Sequence, residues 1–367
     1  MNQSPRILIL TAAFGEGHNS AAQNLALALT HLGIENTVAD PCLLSAPRIT
    51  AILQWGYRLV TTHLPRIWGK IYFAADHFDF SRPRLPLTHP PETYLRTLLT
   101  TYQPHAIVST FPLYPYFLAR HFQKTGEKIP TFTIVTDSIE INTSWLRGPT
   151  DHFLVTDQPT LASIHTKGIP TQKITTTGFP VHPTFATLPP LPATAPTTPF
   201  RILYFPTAQT SLILPHSRAI LDTSPHIHLT IVLGKNLRRL HSRARLLRTS
   251  YPGRVHILGW TRKIPTLLTT HHLAIGKAGG ATVHEAIAAH TPMLIHHLVP
   301  GQEEGNLKLL LHLGAGHLAE TPAALTTALT HILADNASAW RKMKIALQNH
   351  NTSHGAQNTA NFILNHI

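Results

Sequence analysis

The sequence predicts an α/β protein made of two doubly wound domains. Three observations carry this. Short apolar runs without strict alternation recur along the chain, helical patterns separate them, and a charge-free, proline-rich stretch divides the series in two. Apolar strands alternating with helices are the pattern of parallel sheets covered on both faces. A length of 367 residues also suits two domains.

The elements follow in order. RILIL (Arg6–Leu10) reads as the first strand. Residues 20–32 then place Ala21, Ala22, Leu25, Leu29 and Leu32 at helical spacing, with Gly33 as the stop signal. NTVAD (36–40), AIVST (106–110), TFTIVTD (131–137) and HFLV (His152–Val155) continue as strands. Residues 183–200 hold six prolines and no charge, a semi-rigid linker composition. Beyond it come RILYF (201–205), HLTIVLG (228–234), RVHILG (254–259), LAIGK (Leu273–Lys277) and PMLIHHL (292–298). The expected boundaries are 1–182 for the N-terminal domain, 183–200 for the linker and 201–367 for the C-terminal domain, with a last helix free to cross back to the first. Ligands of such sheets bind outside the carboxyl ends of the strands, so facing domains share a cleft there.

Composition narrows the function. A hydrophobic fraction of 43% with 13% charged residues excludes bulk disorder. Thirty Lys and Arg against 17 Asp and Glu give a formal charge of +13, a field that attracts anions. The densest basic run, KNLRRLHSRARLLR (235–248), interleaves leucine with arginine. It reads as a solvated helix face or as a helix lying on a membrane surface. No aromatic stacking series or nucleic-acid motif accompanies the charge, so nucleic acid is not an expected partner. The single cysteine, Cys42, builds neither a disulfide nor a thiolate metal site and fits a reducing compartment. ILIL is too short for a signal peptide, and no apolar run reaches the roughly 18 residues of a bilayer span.

Two stretches carry chemistry. Between the first strand and its helix stand Gly15, Gly17, His18 and Asn19. Two glycines suit a tight turn whose N–H groups hold an anion, and a histidine at a strand's carboxyl end is placed as a base; the plain alternative is a ring that caps the helix. In the second half, GKAGGATVHEA (276–286) follows an apolar strand and opens a helix. Gly279, Gly280 and Ala281 offer backbone N–H groups to a phosphate, with Lys277 beside them. Thr282 is expected to cap this helix. Glu285 then either closes a capping box with it or faces a sugar hydroxyl. PGQEEGN (300–306) supplies Gln302, Glu303 and Asn306 as a second wall. Carboxylates and amides suit ribose and sugar hydroxyls, and glycines with a lysine suit a diphosphate.

These motifs resemble a family. The run from 276 to 306, with VHILGWTRKIPTLL (255–268) before it, is similar to the C-terminal domain of glycosyltransferases that include monogalactosyldiacylglycerol synthase, processive diacylglycerol glucosyltransferase and, more distantly, the MurG enzyme. TAAFGEGHNSAA (11–22) resembles the G-x-G-H-x-x-A-A motif of the diacylglycerol enzymes, VTDSIEINTSW (135–145) their T-D-x7-W segment, and TTGFPVHPTF (176–185) their T-G-x-P-V-x-P-x-F segment. The resemblance implies a GT-B fold: two Rossmann-like domains facing across a cleft, acceptor on the first and UDP-sugar on the second. It implies inverting transfer of a hexose to diacylglycerol or a related lipid, with no cofactor and no metal. The chain shows no Asp-x-Asp pair to hold one. It carries the catalytic base onto His18, with Asp137 to orient it, bind acceptor or merely cap a turn. It adds Gly259 to the donor contacts, and Thr207 and Gln209 to the phosphate loop.

Residues 43–73, rich in Leu, Ile, Trp and Tyr with arginines between, read as an amphipathic core helix pair or as an acceptor segment dipping into a membrane. On the second reading Trp55, Tyr57 and Trp68 meet the acyl boundary, and Arg58 and Arg66 the headgroups. The implied location is the cytoplasmic face of the plasma membrane, held peripherally on anionic lipid. The chain departs from the family at Asn142 and Phe111, where histidines are common, and in FPTAQTSLILP (205–215), which lacks the usual glycines. Two alternatives stay open: a UDP-sugar 2-epimerase of the same architecture, and a non-catalytic nucleotide-sugar or membrane-binding homologue.

Overall fold

A computed structural model describes residues 4–75, 88–196, 198–207, 209–234, 237–301, 303–350 and 352–367. Lys235, Asn236 and Gln302 of the stretches singled out above therefore lie outside the described residues.

The chain forms two compact units. The first comprises Met1–Pro183, Pro300–Gly305 and His354–Ile367; the second comprises Thr184–Val299 and Asn306–Ser353. The first unit opens with β1 (Arg6–Leu10), α1 (Glu16–His31) and β2 (Glu35–Ala39). Three helices follow: α2 (Pro41–Ser45), α3 (Pro47–His63) and α4 (Pro65–Ala75). Then come α5 (His89–Tyr102), β3 (Ala106–Ser109), α6 (Tyr114–Thr125), β4 (Thr131–Ile134), β5 (His152–Val155), α7 (Gln158–Thr166) and β6 (Ile174–Thr176). All pairings are parallel, in the order β2-β1-β3-β4-β5-β6.

The apolar strand runs are explained by burial on both faces. Ile7 and Ile9 of β1 pack with Ala22, Leu25 and Leu29 of α1. Leu8 and Leu10, pointing the other way, pack with Leu95, Leu99, Tyr114 and Phe117 of α5 and α6.

The second unit holds β7 (Phe200–Tyr204), α8 (Ile213–Thr223), β8 (Ile227–Val232), α9 (Leu237–Ser250), β9 (Val255–Leu258), α10 (Ile264–Thr270) and β10 (Leu273–Lys277). It continues with α11 (Gly280–Ala288), β11 (Met293–His297), α12 (Glu304–His312), β12 (Gly316–Leu318) and α13 (Pro322–His350). Its sheet is again parallel, in the order β12-β11-β10-β7-β8-β9. α13 is interrupted at Ala334–Ala337, where Asp335, Asn336 and Ala337 take positive φ.

The last helix, α14 (Gly355–Leu364), packs Ala356, Ala360 and Ile363 into the first unit's core. Its start requires glycine. A Cβ on Gly355 would collide with the Phe179 carbonyl, so only a bare backbone lets α14 close onto the T-G-x-P-V segment.

Candidate active site

Each sheet reverses its direction of winding once: between β1 and β3 in the first unit, and between β7 and β10 in the second. Helices diverge at such a point and open a crevice beyond the strands' carboxyl ends.

At the first switch point α1 begins at Glu16, earlier than the periodicity suggested. Gly15 is its N-cap in an extended conformation, φ −174° and ψ 148°, and Gly17 lies inside the first turn. Neither glycine takes a positive φ, so the turn is not one that demands glycine. Asn19 Oδ1 accepts the Thr11 hydroxyl at 2.9 Å and ties the helix start to the end of β1.

His18, also in the first turn, is 9% exposed. Its Nδ1 lies 3.0 Å from Thr136 Oγ1. Phe111 meets its ring edge-on at 5.2 Å between centroids, and Trp145 lies at 5.7 Å. Burial among these rings lowers its pKa to about 4, outweighing a backbone hydrogen bond with Thr110 that favours the charged form. The imidazole is therefore neutral near pH 7.

Asp137 does not touch His18. Its carboxylate accepts the Trp145 indole N–H at 2.8 Å, and burial raises its pKa to about 6 against that bond. This explains the T-D-x7-W spacing: the intervening residues turn through a short 3-10 helix, Thr143–Trp145, that returns the indole to the carboxylate. The orienting contact, one of the three roles left open for Asp137, is made by its neighbour Thr136. Chain-local reading missed Thr136 because nothing distinguishes one threonine hydroxyl in Thr-rich text until β4 is placed beside β3. Asn142 caps that 3-10 helix and donates Nδ2–H to the Tyr72 carbonyl at 3.1 Å, fastening α4.

Helices α3 and α4 are not a buried pair. Ile52 is 66% exposed, Trp55 64% and Phe73 57%, with Leu53, Ile67 and Ile71 also exposed. Arg58 and Arg66 are exposed beside them. Tyr57 and Trp68 are half-buried and pack edge-to-face at 4.9 Å. No described helix is long and apolar enough to cross a membrane. Of the basic run, the described part lies on α9, where Leu240, Ala244 and Leu247 face the core and Arg238, Arg245 and Arg248 are exposed.

At the second switch point α11 starts at Gly280 with Gly279 as N-cap and no side-chain cap. Thr282 thus sits in the first turn and the expected capping box does not form, because the Gly-Gly pair lets the helix begin earlier. Lys277 is exposed at the end of β10; Gly279, Gly280, Ala281 and Thr282 are half-buried. The half-buried Glu285 carboxylate has no hydrogen-bond partner among the described residues, and burial alone raises its pKa to about 7. Asn306, near the start of α12, donates Nδ2–H to the Ala278 carbonyl at 3.0 Å, and its buried Oδ1 has no partner among the described residues. Thr207 and Gln209, half-buried after β7, share a 3.4 Å bond from the Gln209 N–H to Thr207 Oγ1.

These residues lie on segments that follow β7, β10 and β11, neighbouring strands of the second sheet. Gly259 follows the edge strand β9, with β8 between that strand and β7. Glu303, 4% exposed, groups with the first unit. There Gly301 seats against the Tyr72 ring and Gly305 against the Ser138 carbonyl. A cavity of about 860 Å³ lies elsewhere, at the amino ends of β4 and β5 among Lys128, Asp151, His152, Lys173 and His366. It holds none of the residues singled out from the sequence.

Two parallel six-stranded sheets with these switch points are the architecture of the GT-B glycosyltransferases. MurG from Acinetobacter baumannii superposes with a TM-score of 0.64 at 15% identity, covering 98% of this chain and 99% of that one. MnaA from S. aureus with UDP gives 0.62 at 12%, covering 100% and 98%. The sequence comparisons are narrower. Residues 18–181 match the family model described as monogalactosyldiacylglycerol (MGDG) synthase. A processive diacylglycerol beta-glucosyltransferase from Bacillus subtilis (strain 168) is 25% identical over 357 residues, covering 94% of this chain and 91% of that protein. The chain thus shares the fold of these glycosyltransferases, and its sequence is similar to that of diacylglycerol glycosyltransferases over most of its length.

Proposed function

We propose that the protein is an inverting hexosyltransferase moving a hexose from a UDP-sugar to diacylglycerol or a related lipid. The observation that carries this is a neutral, ring-enclosed His18 at the switch point of the first sheet. An inverting transfer needs one base to take the acceptor hydroxyl proton as that oxygen attacks the anomeric carbon. Thr136 fixes the imidazole by Nδ1. The leaving nucleoside diphosphate needs donors already aimed at its growing charge; backbone N–H groups at Gly279, Gly280 and Ala281, with Lys277, supply them without calling on a metal. Glu285, whose carboxylate has no hydrogen-bond partner among the described residues, suits a hydroxyl of the donor. Gln302, Glu303 and Gly259 stay in the proposal on the family resemblance alone.

The exposed apolar face of α3 and α4, edged by Arg58 and Arg66, supports peripheral attachment to an anionic membrane as the way to reach a lipid acceptor. The same face disfavours the epimerase reading, which has no use for it. The test is to incubate the purified protein with UDP-glucose or UDP-galactose and diacylglycerol vesicles. UDP release with a β-glycolipid by mass spectrometry is expected. His18→Ala should cut turnover by at least about a hundredfold while UDP binding persists; normal turnover of that variant would refute the base.

A further inference from the structure

The sequence after β7 has no glycine from 205 to 210, and its described residues Phe205, Pro206 and Thr207 follow β7 at the second switch point. A loop that shapes itself around a phosphate by backbone flexibility uses glycine; this one needs another device to hold its carbonyls and N–H groups in place. The neighbouring strands provide it. Pairing of β10 with β11 runs Gly276 with Ile295 and then Lys277 with His297, so His296 is the extra residue of a β-bulge. Bulges redirect a side chain beside a site. Here the imidazole is directed at the loop: His296 Nε2 lies 3.1 Å from the Phe205 carbonyl, the first residue after β7. The carbonyl can only accept, which fixes Nε2 as the protonated nitrogen. His296 is 2% exposed. It is enclosed by Tyr204 at 5.3 Å and His216 at 5.1 Å between ring centroids, and His216 projects from α8, the helix that the loop leads into.

We propose that His296 is a positioning residue for the donor diphosphate, its ring clamping the Phe205 carbonyl so that the glycine-free segment Phe205–Thr207 is held in a binding-competent shape. The inference rests on the UDP-sugar reading above. The clamp depends on a hydrogen-bond donor at position 296, and the aromatic enclosure serves only to aim it.

The experiment separates donor from ring. UDP affinity is measured by calorimetry on the full chain for wild type, His296→Phe (ring kept, donor lost) and His296→Gln (donor kept, ring lost). Loss of the bond is expected to weaken UDP about tenfold in His296→Phe, with His296→Gln within about threefold of wild type. The KM for UDP-sugar should follow, with kcat little changed. A merely structural role moves the unfolding temperature of both variants and leaves UDP affinity alone. Should His296→Phe not fold, His296→Leu against His296→Gln makes the same comparison. Equal affinity in the folded variants, or weakening that tracks loss of the ring, overturns the clamp. Wild type that fails to bind UDP overturns the donor reading itself, and the clamp with it, a result recognisable because no variant is needed to see it.

Discussion

At the scale of single residues, burial sets the protonation of both side chains proposed to hold the chemistry. His18 is kept neutral by the rings around it, so its protonation leaves activity insensitive to pH until well into the acid range. Glu285 is different. Burial raises its carboxyl to about 7, and the ionised form is the stronger acceptor for a donor hydroxyl. UDP-sugar affinity is therefore expected to rise between about pH 6 and 8. Glu285→Gln, which still accepts but does not ionise, should flatten that rise and lower affinity about tenfold at pH 8. Calorimetric titrations across that range check it; an unchanged pH dependence in the variant would remove Glu285 from the site. The candidate residues were mostly legible here, because glycine, histidine and carboxylate stand out in a sequence with few charges. Their partners were not. Thr136 and His296 acquire roles only when strands distant in the chain become neighbours.

Among the elements, helices α3 and α4 show how pattern alone leaves two outcomes open. An amphipathic sequence says that one face is apolar and stays silent about what covers it. In the structure Ile52, Trp55 and Phe73 remain exposed, and continuous exposed apolar surface marks an interaction face. Transferring a tryptophan of this exposure into an interface is worth about 2 kcal/mol. Trp55→Glu should thus weaken binding to anionic vesicles by at least about tenfold in a sedimentation assay. Its unfolding temperature should hold, because the side chain has no core to leave. Equal sedimentation would move the lipid-facing surface elsewhere. The two edge strands β6 and β12 escaped the sequence for a simpler reason: each has three residues, too few to show a period.

For the whole molecule, the histidines make an acid-sensitive fold. His18, His271, His272, His290 and His296 all have pKa values lowered to about 4, desolvation being the first cause in each. Between about pH 4 and 6.5 the unfolded chain binds protons at these sites and the folded chain does not, so stability rises with pH there. Asp137 and Glu285 act oppositely, since their raised values let the folded state hold protons up to about 6 and about 7. Five groups against two leave a net rise, and thermal unfolding should show a midpoint climbing from pH 4.5 to 6.5. A midpoint that falls across this interval would contradict the burial assigned to the histidines.

The sequence by itself determined the α/β class, the division near residue 183 and the strand-to-helix turns that carry His18 and the Gly-Gly pair. Those are local properties: apolar period, proline content and the residue types a turn tolerates are written contiguously in the chain. Tertiary structure alone decided that Thr136 rather than Asp137 holds the imidazole, that Asp137 answers to Trp145, that Pro300–Gly305 packs with the first unit, and that His296 reaches the Phe205 carbonyl. Each of these is a contact between segments far apart in sequence. Hydrogen-bond geometry and desolvation act over a few ångströms, so no contiguous stretch contains both partners and only the closed sheets bring them within reach.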